Sequence, residues 1–151
     1  MNPKKIEFIL FDTYTATIKK SVGSKMFQNI YALVDGEKKD VAENGTFSCA
    51  NFASSILVMF GLIKKRHATV KSTILDIETS GWKKVDEPKI GAVIIWGPWE
   101  KSDRDHIGFY IGDEKAISTE SKDGGAPREH HWTYNDKRPV KAIYWHKTLE
   151  K

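Results

Sequence analysis

Cys49 is the residue in this chain whose type and place together suggest covalent chemistry. From it the apolar residues run Cys49, Phe52, Ala53, Ile56, Leu57 and Phe60, a spacing that predicts a helix. Thr46 or Ser48 can cap its start and Gly61 its end. A cysteine in a first helical turn feels the macrodipole and unpaired backbone N–H groups, and both favour the thiolate. To be mostly thiolate at neutral pH, its pKa must fall from about 8.5 to below about 7, roughly 2 kcal/mol of differential stabilisation. A helix N-terminus contributes about 0.3–1 kcal/mol. A cationic neighbour such as an imidazolium must supply the rest. The plainer reading is a small core residue, because Cys49 also lies on the apolar stripe.

Five histidines are available as partners: His67, His106, His130, His131 and His146. His67 falls at a polar junction between helices, and His146 near the C-terminal end. His130 and His131 occupy a turn-like run, Arg128-Glu129-His130-His131, and are expected at the surface or rim. His106 differs because it opens a strand. There Ile107, Phe109 and Ile111 alternate to one face, and His106, Gly108 and Tyr110 to the other. Glycine at 108 leaves bare backbone beside the imidazole. A three-residue Gly112-Asp113-Glu114 hairpin loop places His106 opposite Glu120 and diagonal to Ser118; a two-residue Asp113-Glu114 loop turns both away. In the first register either Ser118 or Glu120 can orient the imidazole.

Other chemistries find little footing. No zinc-type spacing or HExxH motif occurs, and no glycine-rich phosphate loop precedes a helix, so neither metal nor cofactor is expected. Gly124-Gly125 reads as a turn. The net charge of +4, with basic residues scattered among 20 acids, argues against nucleic acid. The Trp96-Gly97-Pro98-Trp99 loop precedes the His106 strand and reads as a structural plug or a ligand platform. Candidate substrate contacts are Ser48, Trp96, Trp99 and Tyr110.

The positioning elements follow from periodicity. Residues 6–18 read as extended, being rich in β-formers. Asp35-Gly36 predicts a hairpin between 28–34 and 37–42, and Asn44-Gly45 a turn. A second helix is expected from Ala68 to Ser80, stopped by Gly81. Period-2 strands are expected at Ala92–Trp96, Ile107–Ile111, Ala116–Thr119 and Val140–Trp145. At 151 residues and 40% hydrophobic composition this is the size of one domain, of α+β class, with residues 1–44 a β-rich extension and 45–151 the core. One cysteine permits no internal disulfide, no apolar run can span a membrane, and the N-terminus has no signal-peptide core. A cytoplasmic location, or release by a non-classical or phage-type route, is expected.

The order of these pieces resembles a known family. Ser48-Cys49-Ala50-Asn51-Phe52 opening a helix, then Ile90-Gly91-Ala92-Val93-Ile94-Ile95-Trp96, then His106-Ile107-Gly108-Phe109-Tyr110-Ile111-Gly112, looks like the NlpC-type and CHAP cysteine amidohydrolases. The likeness covers about residues 45–121. It implies a papain-like core, Cys49 as nucleophile, His106 as base, and a third residue that orients the base. NlpC-type members place a histidine where Ser118 falls; CHAP members carry Glu or Asn in a comparable place, which suits Glu120. The aspartate common at the entry to the strand before the base is absent, the entry reading Lys89-Ile90-Gly91-Ala92. The implied substrate is peptidoglycan or another peptide. The alternatives are a non-catalytic glycan- or peptide-binding module, or a papain-like acyltransferase or deamidase.

Overall fold

The computed structural model describes residues 2–99 and 103–150. Its elements are α1 (Leu10–Lys20), β1 (Tyr31–Val34), β2 (Glu37–Asp40), α2 (Cys49–Met59), α3 (Val70–Thr79), β3 (Trp82–Lys84), β4 (Val93–Trp96), β5 (His106–Gly112), β6 (Lys115–Glu120), β7 (Ala126–His131) and β8 (Val140–His146). The class is α+β: three helices and two antiparallel sheets, with strands β3 to β8 in the order β3-β8-β4-β5-β6-β7. β1 and β2 form a separate hairpin, whose Asp35 and Gly36 both have positive φ, as its two-residue loop demands. No helix among the described residues is long and apolar enough to cross a membrane.

The sheet has two buried faces. Val93, Ile95, Ile107, Phe109 and Ile117 join the main core with Tyr14, Phe52, Ile56 and Ile77 from the helices. Ile94, Trp96 and Ala116 alternate to the other face and form a smaller cluster with Tyr110, Trp132 and Tyr134. Edge-to-face rings bind the main core together, Phe109 standing 5.5 Å from Phe52 and 6.0 Å from Tyr14.

Residues 10–20 are helical, which corrects the extended reading of 6–18. Threonine and isoleucine suggested a strand, but Tyr14, Thr15 and Ile18, at i, i+1 and i+4, are the buried set. The threonine hydroxyls are satisfied inside the helix, Thr15 donating to Phe11 O at 2.9 Å and Thr17 to Thr13 O at 2.8 Å. Asp12 in the first turn and Lys19 and Lys20 in the last suit the macrodipole. Tyr14 and Ile18 are fully buried, and the Tyr14 hydroxyl donates to Gly91 O at 2.8 Å, so α1 is a working part of the core.

Two strands escaped the periodicity. β3 and β7 are the sheet's edges, and each pairs with one neighbour. β7 carries Pro127, exposed Arg128 and Glu129, and two histidines, a composition an edge strand tolerates and a central one does not.

The β5–β6 hairpin resolves the register question in a way neither expected loop describes. Its loop is the two-residue Asp113-Glu114 turn, both residues at positive φ, but the ladder slips between Tyr110 and Gly112. That bulge restores the register of the longer loop: Phe109 faces Ile117, and continuing the ladder sets Gly108 across from Ser118 and His106 across from Glu120.

Candidate active site

Cys49 is the first residue of α2, and the start of that helix is held from below. Ser48 is buried, its Oγ 3.1 Å from Gly125 O and 3.3 Å from Gly45 O. A Cβ on Gly45 would run into the Gly124 carbonyl, and one on Gly125 into the Gly45 backbone. The turn before the cysteine and the Gly124-Gly125 connection between β6 and β7 are therefore seated directly on each other. The Gly-Gly pair does more than turn the chain.

The thiol lies among backbone N–H groups of Ile107, Ala50 and Cys49 itself, which draw its pKa down together with the Arg138 charge. Burial outweighs them and pushes it up. Ile107 is the residue after His106, so the helix start and the β5 start come together at one end of the sheet. Cys49 and His106 both line a cavity of about 600 Å³ there, with Trp99, Arg104, Glu120 and Arg138 also in its wall.

The His106 imidazole sits against the fully buried Trp96, ring centroids 5.5 Å apart. Burial, then the Arg138 charge and the nearness of a second imidazole, His130, hold its pKa down to about 3. Its Nε2 is 2.9 Å from Ser118 Oγ, which leaves Nδ1 as the nitrogen not engaged in that bond. At rest the pair is a neutral thiol and a neutral imidazole. The thiolate–imidazolium pair that the sequence called for is disfavoured, because the site desolvates both charges.

Behind His106 lies a polar network larger than the sequence suggested. Ser118, fully buried, has His130 Nε2 at 2.7 Å and Tyr134 Oη at 3.0 Å as well. His130 Nδ1 is 2.8 Å from the His131 carbonyl, and the Tyr134 ring stacks on His130 at 4.1 Å. Tyr134 Oη is in turn 3.0 Å from Glu120 Oε1. Ser118 thus touches the imidazole directly, while Glu120 reaches it only through Tyr134 and Ser118. Burial pushes the Glu120 carboxyl up and the His130 imidazole down, in each case against the charged form.

Arg138 closes the site from the side. Its Nε donates to Gly97 O at 2.7 Å and its Nη2 to Arg104 O at 2.9 Å, tying together the two ends of the connection from β4 to β5. His130, Tyr134 and Arg138 are the residues sequence reasoning missed. His130 was assigned to the surface because β7 lacks apolar alternation; Tyr134 and Arg138 lie in a loop whose course no local pattern reveals.

The four expected substrate contacts separate. Trp99 lines the cavity, at 39% exposure. Trp96 is fully buried, its Nε1 donating to Trp132 O at 2.8 Å, and it forms the floor under His106. Ser48 is consumed by the glycine carbonyls beneath the helix. Tyr110 stands edge-on to Trp132 in the smaller cluster, away from the cavity wall. Among the described residues, no three His, Cys, Asp or Glu side chains are grouped to hold a metal ion.

No protein-family model and no curated protein matches this chain.

Proposed function

We propose that this protein is a papain-like cysteine hydrolase, resembling the NlpC-type and CHAP enzymes, that cleaves an amide bond in peptidoglycan or a related peptide. One observation carries the reading: a helix-initial cysteine and a strand-initial histidine line the same cavity, and the histidine's Nε2 is held by a buried serine. A helix that begins with the cysteine, packed on an antiparallel sheet that carries the histidine, supports the resemblance to papain-like enzymes.

Because the pair rests neutral, His106 takes the thiol proton on Nδ1 as Cys49 Sγ attacks, acting as a general base. The S–C bond forms, the C–N bond breaks, and the proton passes to the departing amine. Water then attacks the thioester, giving its proton to His106, which returns one to the sulfur. Arg138 stabilises anionic sulfur and oxygen while opposing an imidazolium. Arg104, Lys122 and Arg138 in the wall suit a peptide that carries carboxylates.

The burial of both groups in uncharged form also fits a non-catalytic module that binds wall peptides in the same cavity. Incubating the protein with purified sacculi and soluble stem peptides, and quantifying new amines, separates the two. Amine release is expected from the wild type and not from C49A or H106A, both folded by circular dichroism. Release undiminished in C49A overturns the hydrolase reading. Peptide binding with no amine release and no adduct on Cys49 establishes the binding module.

A further inference from the structure

We infer that His130, acting through Ser118, sets the tautomer in which His106 serves as base. This rests on the hydrolase reading for its consequence, but the argument is a count of protons. Ser118 has one hydroxyl proton and two lone pairs, and it meets His106 Nε2, His130 Nε2 and Tyr134 Oη. The His131 carbonyl can only accept, so His130 Nδ1 carries a proton. In neutral His130 the Nε2 is then bare and takes the single proton of Ser118. Ser118 shows His106 only lone pairs, so His106 carries its proton on Nε2 and keeps Nδ1 bare, as the proposed proton transfer from the thiol requires. His130 is a positioning residue, two side chains removed from the chemistry.

The same count fixes the rest of the chain. Tyr134 donates its own proton to Glu120 Oε1, and its oxygen lies 3.0 Å from Ser118 Oγ, whose single proton is already spent on His130. An amide in place of Glu120 keeps an oxygen that accepts from Tyr134. The direct CHAP-like role for Glu120 predicts that Glu120→Gln is more damaging than Ser118→Ala; the relay predicts the reverse. A second proton, added to His130, turns the Ser118 hydroxyl onto His106 Nε2 and moves the His106 proton to Nδ1, where it blocks the base. The groups facing His130 are His106 from β5, Ser118 from β6, its own neighbour His131, and Tyr134 and Arg138 from the following loop, with the Trp96 ring beneath.

The test is the imidazole ¹⁵N spectrum of histidine-labelled protein at pH 7, which distinguishes a bare from a protonated ring nitrogen without any substrate. The wild type is expected to show His106 protonated at Nε2. His130→Phe removes the acceptor and shifts the proton to Nδ1, whereas His130→Gln, whose Oε1 can accept from Ser118, keeps it on Nε2. Amine release is expected to fall about tenfold or more in H130F and to stay within about threefold in H130Q. Should H130F fail to fold, S118A is read instead, and loss of the fixed Nε2–H form is expected. A wild type protonated at Nδ1, or a His106 tautomer unmoved in H130F or S118A, overturns the inference. Absence of turnover in the wild type sinks the hydrolase reading and leaves the spectroscopic result to decide this one.

Discussion

Cys49 alkylation should lack the low-pH plateau of a preformed thiolate–imidazolium pair, and the magnitude follows from the site. Moving the thiol proton to His106 costs about 1.4 kcal/mol for each unit separating the two pKa values. With the thiol raised above 9.0 and the imidazole at about 3, that cost is at least about 8 kcal/mol. Attraction between the resulting charges, were they to stand at a contact distance of about 4 Å, would offset about 4 kcal/mol at an effective dielectric of 20. The deficit of about 4 kcal/mol leaves roughly one molecule in a thousand as the ion pair. An ordinary histidine, near 6.5, would bring the two terms close to balance. The assay is the rate of carboxamidomethylation by iodoacetamide from pH 5 to 10, followed by intact mass, in the wild type and H106A. The rate should rise along a single ionisation above pH 9, with the two proteins alike below pH 8. A fast plateau between pH 5 and 8 that vanishes in H106A would refute the reasoning that burial keeps both groups neutral.

Three further outcomes test what surrounds the pair. Arg138→Met removes a positive charge that opposes the imidazolium, so the His106 pKa should rise above about 3 in an NMR titration; an unchanged or lower value contradicts the electrostatic account. Asp76 accepts from Lys64 N, Lys65 N and Ser80 Oγ and lies 2.7 Å from His67 Nε2, so Asp76→Ala should cost about 3 kcal/mol in urea unfolding. Those donors hold the Asp76 carboxyl well below the usual carboxylate range, so its contribution is complete above about pH 4 and is lost as the pH falls towards its folded pKa; the D76A difference should shrink on acidification. Gly125→Ala places a Cβ against the Gly45 backbone at a φ of +77°, and should destabilise by about 2 kcal/mol or more; a neutral result would mean the helix start is not seated on that turn.

Elements with a strong period were legible in the sequence, and those that depend on neighbours were not. α2, α3 and the strands β4, β5, β6 and β8 formed where repeating apolar residues placed them, because each must turn one face to the core. The Asp35-Gly36 hairpin was equally readable, since its loop requires two residues at positive φ. α1 was misread because threonine and isoleucine favour strands locally, while burial of Tyr14 and Ile18 under the sheet decides for the helix. β7 was missed because an edge strand pairs through its backbone and leaves little trace in side-chain pattern.

The site divides along the same line. Sequence by itself determined that Cys49 begins a helix, that His106 begins a strand, and that Ser118 and Glu120 share a face of the strand beyond; these follow from periods of 3.6 and 2 and from turn chemistry. Only the tertiary structure decided that a bulge brings those residues into register, that β7 and its loop deliver His130, Tyr134 and Arg138 behind them, and that Trp96 is floor rather than platform. It also decided the charge state. A pKa depends on how much water the folded chain removes and which charges it leaves nearby, and neither quantity exists until distant segments pack together.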